Sequence, residues 1–250
     1  MKLTLLDLTQ NILSALNSDE VNSYSDTTES RQVAEIIRTA YFNIVTRAQL
    51  PEHKDIVGLT SSLDVTKPTL MYRPDNLAKI EWIKYDINDD PTPSGPNYQM
   101  VDILPVTDFL DMLDRFDPDE TNVGQYFVDN YKFYYKKDRY PSCCTILSDY
   151  YVIFDSFDIN VDDTLQESKS QAYGRLAPAF TLADSFIPDL DDNQFPLLLN
   201  EAKSLAFLEL KQVAHDKAEV EARRHWRTLQ HSKHTVKPNY FNEFPNFGRK

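Results

Sequence analysis

The sequence contains few of the residues on which common sites and scaffolds depend. Five glycines among 250 residues argue against a glycine-rich phosphate-binding loop. The two cysteines, Cys143 and Cys144, are adjacent and neighbouring cysteines rarely pair, so we expect no disulfide scaffold and folding in a reducing cytoplasm. Asp7 interrupts the apolar start, and no stretch reaches the roughly 18 apolar residues of a membrane span. Neither a signal peptide nor a transmembrane helix is therefore predicted.

Catalytic and metal-binding motifs are also missing from the sequence. The histidines form no His-Glu-x-x-His pattern, no cysteine spacing matches a zinc site, and no Gly-x-Ser-x-Gly elbow occurs. Asp189, Asp191 and Asp192 lack the glycine and the distal glutamate of a calcium loop, so we expect them to cap and solvate a turn. We predict no catalytic residue, no metal, no cofactor and no enzymatic activity.

Positive charge is scarce in most of the chain. The net charge is -13, and residues 1–200 carry 16 Lys and Arg against 33 Asp and Glu, whereas residues 201–250 carry 10 against 6. Phosphate contacts need Lys and Arg, so the acidic body argues against general nucleic-acid binding. It argues equally against docking on an anionic membrane.

The dominant feature that is present is one long helix predicted over residues 194–232. Pro196 fits only a first helical turn, and Asn193 is the expected cap. About 35 helical residues would span roughly 50 Å, and the second half, from His215, is charged, so we expect it to project into solvent or onto a partner. The apolar stripe with three-four spacing comprises Leu198, Leu199, Ala202, Leu205, Ala206, Leu210, Val213 and Ala214.

Two amphipathic helices are predicted near the N-terminus. The first covers residues 3–16, and the second follows a polar turn at residues 17–25 and ends before Pro51. Asp26 and Glu29, three residues apart, match a capping box at the start of the second helix. We expect the two helices to pack as an antiparallel pair.

The middle of the chain, residues 57–190, predicts strands. Strand patterns lie at residues 69–73, 77–87 and 98–106, and residues 126–156 are rich in the Tyr, Phe, Val and Thr that suit half-buried pleated surfaces. A short helix over residues 108–116, capped by Thr107, separates these stretches. Residues 173–178 and 180–182 are predicted as an irregular arm or a final edge strand.

These elements predict an α+β fold with the sheet placed between helices that pack together. The prediction is an antiparallel helical bundle, made of the N-terminal helices and the long C-terminal helix, with a β-rich insertion and an extended C-terminal tail. The domains would be a helical bundle of residues 1–56 and 191–232, an insertion of residues 57–190 and a tail of residues 233–250.

Candidate binding residues lie near the C-terminus. Aromatic side chains spaced along the tail belong to no periodic element and need a partner surface when exposed, the alternative being a disordered tail. In the long helix, Glu219 and Glu221 lie beside the arginines, which favours a salt-bridge surface for a protein over one for DNA. The predicted partner-binding residues are Arg223, Arg224, Arg227, Tyr240, Phe241, Phe244, Phe247 and Arg249.

Several stretches resemble a family of tailed-phage virion structural proteins. They are residues 19–23 (DEVNS), 26–27 (DT), 32–34 (QVA), 154–158 (FDSFD), 161–166 (VDDTLQ), 195–204 (FPLLLNEAKS), 211–212 (KQ) and 222–224 (ARR). The resemblance covers most of the chain, residues 5–227. The predicted architecture also resembles the head-to-tail adaptors of short-tailed phages, which are similar to tail tubular protein A. None of the stretches is a catalytic signature, so the resemblance implies a fold and a role only.

The resemblance implies a structural protein at the head-tail junction of a virion, made in the host cytoplasm. Such adaptors form a ring beneath the portal, usually of twelve copies, and continue the channel through which DNA is ejected. The expected partners are the portal protein, a downstream nozzle-type tail protein and further copies of the chain. Double-stranded DNA would pass without specific binding, and no membrane is expected. The bundle would build the ring wall, and the long helix with the tail would reach the portal.

Three alternatives remain open at this point. Another neck or tail-completion protein of the virion would belong to the same structural class. A virion-associated hydrolase would need paired carboxylates, which an acidic chain offers without any pattern. A DNA-packaging accessory protein would bind duplex DNA through residues 223–237 and lose that binding steeply with salt.

Overall fold

The chain folds into helices at both ends and strands in between, arranged as two compact units. The computed structural model describes residues 2–48, 50–88 and 95–235, with the side chains of the last helix described as far as His231. The helical unit comprises Met1–Glu52 and Pro178–Lys250, and the sheet unit comprises His53–Ala177. The domain boundaries given above stay a prediction.

The first helix, α1, spans Leu5–Ala15 and starts with a capping box. The Thr4 hydroxyl accepts the Asp7 N–H at 3.1 Å and donates to the Asp7 carboxylate at 2.7 Å, and the Thr4 N–H donates to the same carboxylate. These hydrogen bonds favour the ionised carboxyl group and lower the pKa of Asp7. The helix predicted at residues 3–16 is confirmed.

The second helix, α2, spans Thr28–Ala48, and its predicted capping box is wrong. The reciprocal pair is Thr27 and Ser30: the Ser30 N–H donates to Thr27 Oγ1 at 3.0 Å, and the Thr27 N–H donates to Ser30 Oγ at 3.1 Å. The Asp26 carboxylate accepts two N–H groups of the preceding turn instead. An aspartate side chain can accept N–H groups either from the residues before it or from the helix after it. Here the N–H groups of the preceding turn bind the Asp26 carboxylate in place of those of the helix.

Helix α4 spans Phe195–Ala206 and completes the core of the helical unit. It begins with Pro196 in the first turn, as predicted, but Gln194 rather than Asn193 occupies the cap position. Both N-terminal helices pack against it through apolar faces of period 3.6. The fully buried side chains of this core include Leu5, Leu8, Ile12, Ile37, Tyr41, Ile44 and Leu198.

The single long helix predicted over residues 194–232 is wrong. After α4 the chain makes a π-helical turn, Phe207–Lys211, and Gln212 adopts a left-handed conformation with φ of 55°. The last helix, α5, spans Asp216–Thr235 and packs back against α4. The predicted apolar stripe ends at the break: Leu210 still packs against the core, whereas Val213 is 60% exposed. Packing on α4 buries more of α5 than an extension into solvent would.

The sheet unit contains an eight-stranded sheet with the order β1-β10-β4-β5-β8-β9-β3-β2. Neighbouring strands are antiparallel except β5 and β8. A separate hairpin, formed by β6 and β7, packs into the same core. The strands are β1 Lys54–Val57, β2 Thr60–Ser61, β3 Leu70–Tyr72, β4 Leu77–Asp86, β5 Tyr98–Ile103, β6 Val123–Val128, β7 Tyr131–Lys136, β8 Cys143–Leu147, β9 Tyr151–Phe154 and β10 Ser170–Leu176.

The predicted fold class, a helical bundle with a β-rich insertion, is wrong. The protein is mixed α/β, with a large curled sheet close to half a barrel and five α-helices in the described part of the chain. The sheet is more than an appendage because residues from both ends of the unit pair, Lys54 with Arg175, and because it encloses a core of its own. Eight of the ten strands are only two to six residues long and give weak periodic signals, so the sequence understated the share of the sheet in the fold.

The last strand, β10, lies between β1 and β4, which corrects its prediction as an arm or an edge strand. Gly174 permits this position because a Cβ there would lie 1.9 Å from the Lys79 carbonyl oxygen. The register shifts between Tyr173 and Gly174, so β4 has one extra residue at this point. A close approach that only glycine allows is thus what joins β10 to the sheet.

The remaining helix, α3, spans Val106–Leu113 between β5 and β6. The prediction of a helix over residues 108–116 is shifted, and its cap position is Pro105, without a side-chain hydrogen bond, rather than Thr107. Phe109 and Leu113 face the core of the sheet unit. Single 3-10 turns occur at Pro51–His53 and Glu167–Lys169.

Candidate partner-binding surface

The predicted arginines lie on α5, whose start is fixed by a histidine. Nδ1 of His215 accepts the Ala218 N–H at 3.0 Å, which satisfies one of the free donors of the first helical turn. The imidazole ring also contacts Phe207, with ring centroids 4.5 Å apart. The cap and the ring contact together direct α5 away from the turn that follows α4.

The inner face of α5 is a narrow strip of small residues that ends at Trp226. Ala218 and Ala222 are 2% and 3% exposed and let the helix approach α4 closely. The Trp226 Nε1–H donates to the Glu201 carboxylate of α4. The Arg47 guanidinium of α2 lies 4.9 Å from the centre of the Trp226 ring, within the range of a cation–π contact. The Trp226 side chain therefore links α5 to α4 and to α2.

The outer face of α5 carries the three predicted arginines. Arg223 and Arg224 are 74% and 71% exposed and form ion pairs with Glu219 at 3.1 Å and Glu221 at 2.9 Å. Arg227 is exposed too and forms no ion pair with any residue that the structure describes. Exposed pairs of this kind contribute only about 0.3–0.5 kcal/mol each. Because these pairs are weak, the arginines can exchange Glu219 and Glu221 for the carboxylates of a partner. The outer face of α5 therefore suits protein binding.

The other predicted partner-binding residues follow α5 in the tail. Tyr240, Phe241, Phe244, Phe247 and Arg249 lie outside the described residues. Helix α5 runs to Thr235, so the arginine face leads directly to the start of the tail.

No protein-family model matches the chain, and no curated protein matches it. The site therefore rests on the chemistry of the chain itself.

The two cysteines, Cys143 and Cys144, are buried and not paired in a disulfide. Both lie in β8, and burial raises the pKa of the Cys143 thiol to about 12, with a further contribution from the Asp155 carboxylate. Burial likewise raises the pKa of Cys144. Cys143 Sγ contacts Met112 Sδ of α3 at 3.4 Å. Thiols held neutral in this way are weak nucleophiles and act as packing groups.

Other potential sites are limited in the part of the chain that the structure describes. There, His, Cys, Asp and Glu side chains gather in no group of three that could hold a metal ion. A small, partly open pocket of about 10 Å³ beside Tyr85 and Lys169 has room for about one water molecule. Residues 2–48, 50–88 and 95–235 include no helix with the length and apolar character of a membrane span.

Sequence reasoning located the exposed arginines but missed the residues that position them. His215 caps the start of α5, and Trp226 attaches the helix to α4 and α2. The sequence prediction places both residues inside one continuous helix. The signal for attachment is present in the sequence as Ala218, Ala222 and Trp226 at intervals of four on an otherwise charged helix. It is a weaker signal than the apolar stripe of α4 because alanine is also frequent on helix surfaces.

Proposed function

We propose that the protein is a structural virion component, a head-to-tail adaptor that forms a ring between the portal and the downstream tail. The virion context comes from the resemblance of the sequence stretches given above. The observation that carries the adaptor role is the two-sided character of α5. One side is attached to α4 and α2 by a narrow strip, and the other exposes arginines to solvent just before the tail.

In this proposal the portal contacts the arginine face and the tail together. Arg223, Arg224 and Arg227 exchange their solvent and glutamate contacts for portal carboxylates. The tail contributes its aromatic residues as anchors, since interface energy concentrates in buried aromatic and arginine side chains. The ring places copies side by side through two different surfaces of each copy, the arrangement that closes into a circle when the rotation fits.

The acidity of the chain has a role in the same proposal. A net charge of -13 on each copy gives a ring of strongly negative potential. DNA phosphates are repelled by such a wall, so the duplex slides through without binding. The proposed role of the chain is therefore structural and not catalytic.

The test is native mass spectrometry of the protein, alone and mixed with the portal protein of the same genome. We expect a ring of copies joined to the portal, and loss of that complex when residues 236–250 are deleted. A triple variant, Arg223→Glu, Arg224→Glu and Arg227→Glu, should weaken the complex while circular dichroism stays unchanged. A matched control, Arg38→Glu, alters an exposed α2 arginine paired with Glu35 and should leave portal binding intact.

Two results would contradict the proposal. Portal binding that persists after both the deletion and the triple arginine variant would remove α5 and the tail from the interface. A protein that ignores the portal but binds duplex DNA, with affinity that falls steeply with salt, would instead be a DNA-packaging accessory protein.

A further inference from the structure

The outer face of four neighbouring strands, β1, β10, β4 and β5, carries apolar side chains that are exposed or partly exposed. Tyr173 and Trp82 are paired across β10 and β4, with ring centroids 5.3 Å apart and planes inclined by 17°. Ile56 of β1 pairs with Tyr173 and is 51% exposed. Met100 of β5 pairs with Lys84 and is 50% exposed. We call the four apolar residues Ile56, Trp82, Met100 and Tyr173 the aromatic face.

The aromatic face is bordered by cations, although the sheet unit is strongly acidic. Residues 53–177 carry 12 Lys and Arg against 22 Asp and Glu. The register pairs Lys54 with Arg175 and Arg175 with Lys79, on the same side of the sheet as Tyr173 because side chains alternate. The Lys84 ammonium lies 5.1 Å from the centre of the Trp82 ring. This side of the sheet carries the cations Lys54, Lys79, Lys84 and Arg175 and the carboxylates Glu81 and Asp86. Lys54 forms an ion pair with Glu81 at 2.5 Å, so Lys79, Lys84 and Arg175 are the cations that remain for a partner.

A complementary surface lies on α3 of the same unit. Asp108, Asp111 and Asp114 follow at intervals of three and are all exposed, so they share one side of the helix. Asp117 and Asp119 continue the exposed acidic run. None of these five carboxylates forms an ion pair within residues 2–48, 50–88 and 95–235. We call them the acidic α3 surface.

We propose that the aromatic face binds the acidic α3 surface of a second copy of this chain. The inference rests on the proposed function for the ring in which such a contact would be repeated. Charge complementarity identifies the occupant, because a cationic patch on an otherwise acidic unit attracts an exposed acidic surface whose carboxylates form no ion pair within the described residues. The two surfaces differ, so the contact is heterologous and leaves one of each free for the next copy.

A second copy suits this face better than a nucleic acid does. Bases bind to sheet faces by stacking on open aromatic rings. Trp82 is already stacked on Tyr173 and covered by Lys84, which leaves less ring surface for a base. A polyanion would also meet the net negative charge of the surrounding unit.

Zero-length carbodiimide cross-linking tests the contact directly, since it joins an amine to a carboxylate only when the two touch. Isotopically light and heavy protein are mixed at low salt, with and without portal, and peptides that contain one chain of each kind are identified. We expect cross-links from Lys79 or Lys84 to Asp108 or Asp111. Intercopy cross-links that avoid both surfaces, or none in either sample, would overturn the inference.

A charge exchange provides the second test. Lys84→Glu with Arg175→Glu should reduce intercopy cross-linking by about tenfold or more, and Asp108→Lys with Asp111→Lys should do the same. Mixing the two double variants should restore the association, because the intact aromatic face of one variant meets the intact acidic α3 surface of the other, and the two altered surfaces are also opposite in charge. Lys132→Glu, on the exposed side of the β6–β7 hairpin, is the matched control and should change nothing. Folded variants whose mixture stays unassociated would overturn the inference.

The outcomes separate this inference from the proposed function. Cross-links between the two surfaces without any portal binding would support the contact and reject the adaptor role. A portal-bound ring whose cross-links lie elsewhere would support the adaptor role and reject the contact. A labelled single-stranded oligonucleotide that binds the wild type, but not the Lys84→Glu, Arg175→Glu variant, would replace the second copy by nucleic acid.

Discussion

Helices α4 and α5 follow each other in the chain but are held in different ways. The buried side of α4 consists of large apolar residues, among them Phe195 and Leu198, which are 2% and 0% exposed. The fully buried side chains of α5 are only the small Ala218 and Ala222, and its other contacts are the His215 cap, the partly buried Leu229 and one tryptophan. Apolar burial stabilises by about 25 cal/mol per Å², so α4 is the more firmly held helix.

The difference shows how a helix can belong to a fold and still be available to a partner. A few polar contacts keep α5 in place without burying its arginines, and local opening is least costly where apolar contacts are few. Helix α4 could not serve in this way because exposing its face would open the core. If these contacts set the stability of the two helices, substitutions in α4 should lower the free energy of unfolding more than substitutions in α5.

The largest effect is expected in α4. Leu198→Ala removes a fully buried side chain from the helical core and leaves a cavity, so the free energy of unfolding should fall by about 2–5 kcal/mol. Urea unfolding followed by circular dichroism measures it. Leu208→Ala, at a 58% exposed position just after α4, is the control and should stay within about 0.5 kcal/mol. Equal effects at the two positions would contradict the burial assigned to α4.

An intermediate effect is expected at the attachment of α5. Trp226→Ala removes the hydrogen bond to Glu201 and the ring beneath Arg47, so α5 should open more easily by about 1.5–3 kcal/mol. Hydrogen exchange should show lost protection in residues 216–231 only. Trp226→Phe keeps a ring for Arg47 and should lose less. If α1 and α2 lost protection equally, α5 would be part of the core and not a separately attached helix.

The start of α5 should contribute less. His215→Ala removes the side chain that accepts the Ala218 N–H, and loss of a cap costs about 1 kcal/mol. Hydrogen exchange in the first turn of α5 measures the change. His215→Asn also removes the ring contact with Phe207 but restores an acceptor, so it should recover most of the protection. No recovery would assign the role of His215 to the ring contact.

The smallest effect is expected on the outer face of α5. Arg223→Gln breaks the pair with Glu219 and should change the stability of α5 by about 0.3–0.5 kcal/mol, whereas Arg227→Gln should not change it. Both variants should nevertheless weaken portal binding in the same native mass spectrometry assay. A loss of binding that tracked helix stability would show that the arginines support α5 and do not contact the partner.

Local pattern was sufficient for the elements that carry their own periodicity. Helices α1 and α2 follow from apolar spacing, and β3, β4 and β5 lie where strand patterns were predicted. The candidate site was located only in part: the exposed arginines follow from charge among polar neighbours, whereas the Trp226–Glu201 link joins residues on separate helices. Nothing local distinguishes a tryptophan that faces solvent from one that attaches a helix.

The sequence by itself determined helices α1 and α2, strands β3, β4 and β5, the acidic balance and the basic C-terminal end, because each depends on neighbours in the chain. The tertiary structure decided the break at Gln212, the inner position of β10 and the size of the sheet. These depend on which distant surface a segment buries. The sequence of α5 favours a helix whether it continues α4 or folds back on it. Only the packing of α5 against α4 makes the folded-back arrangement the more stable one.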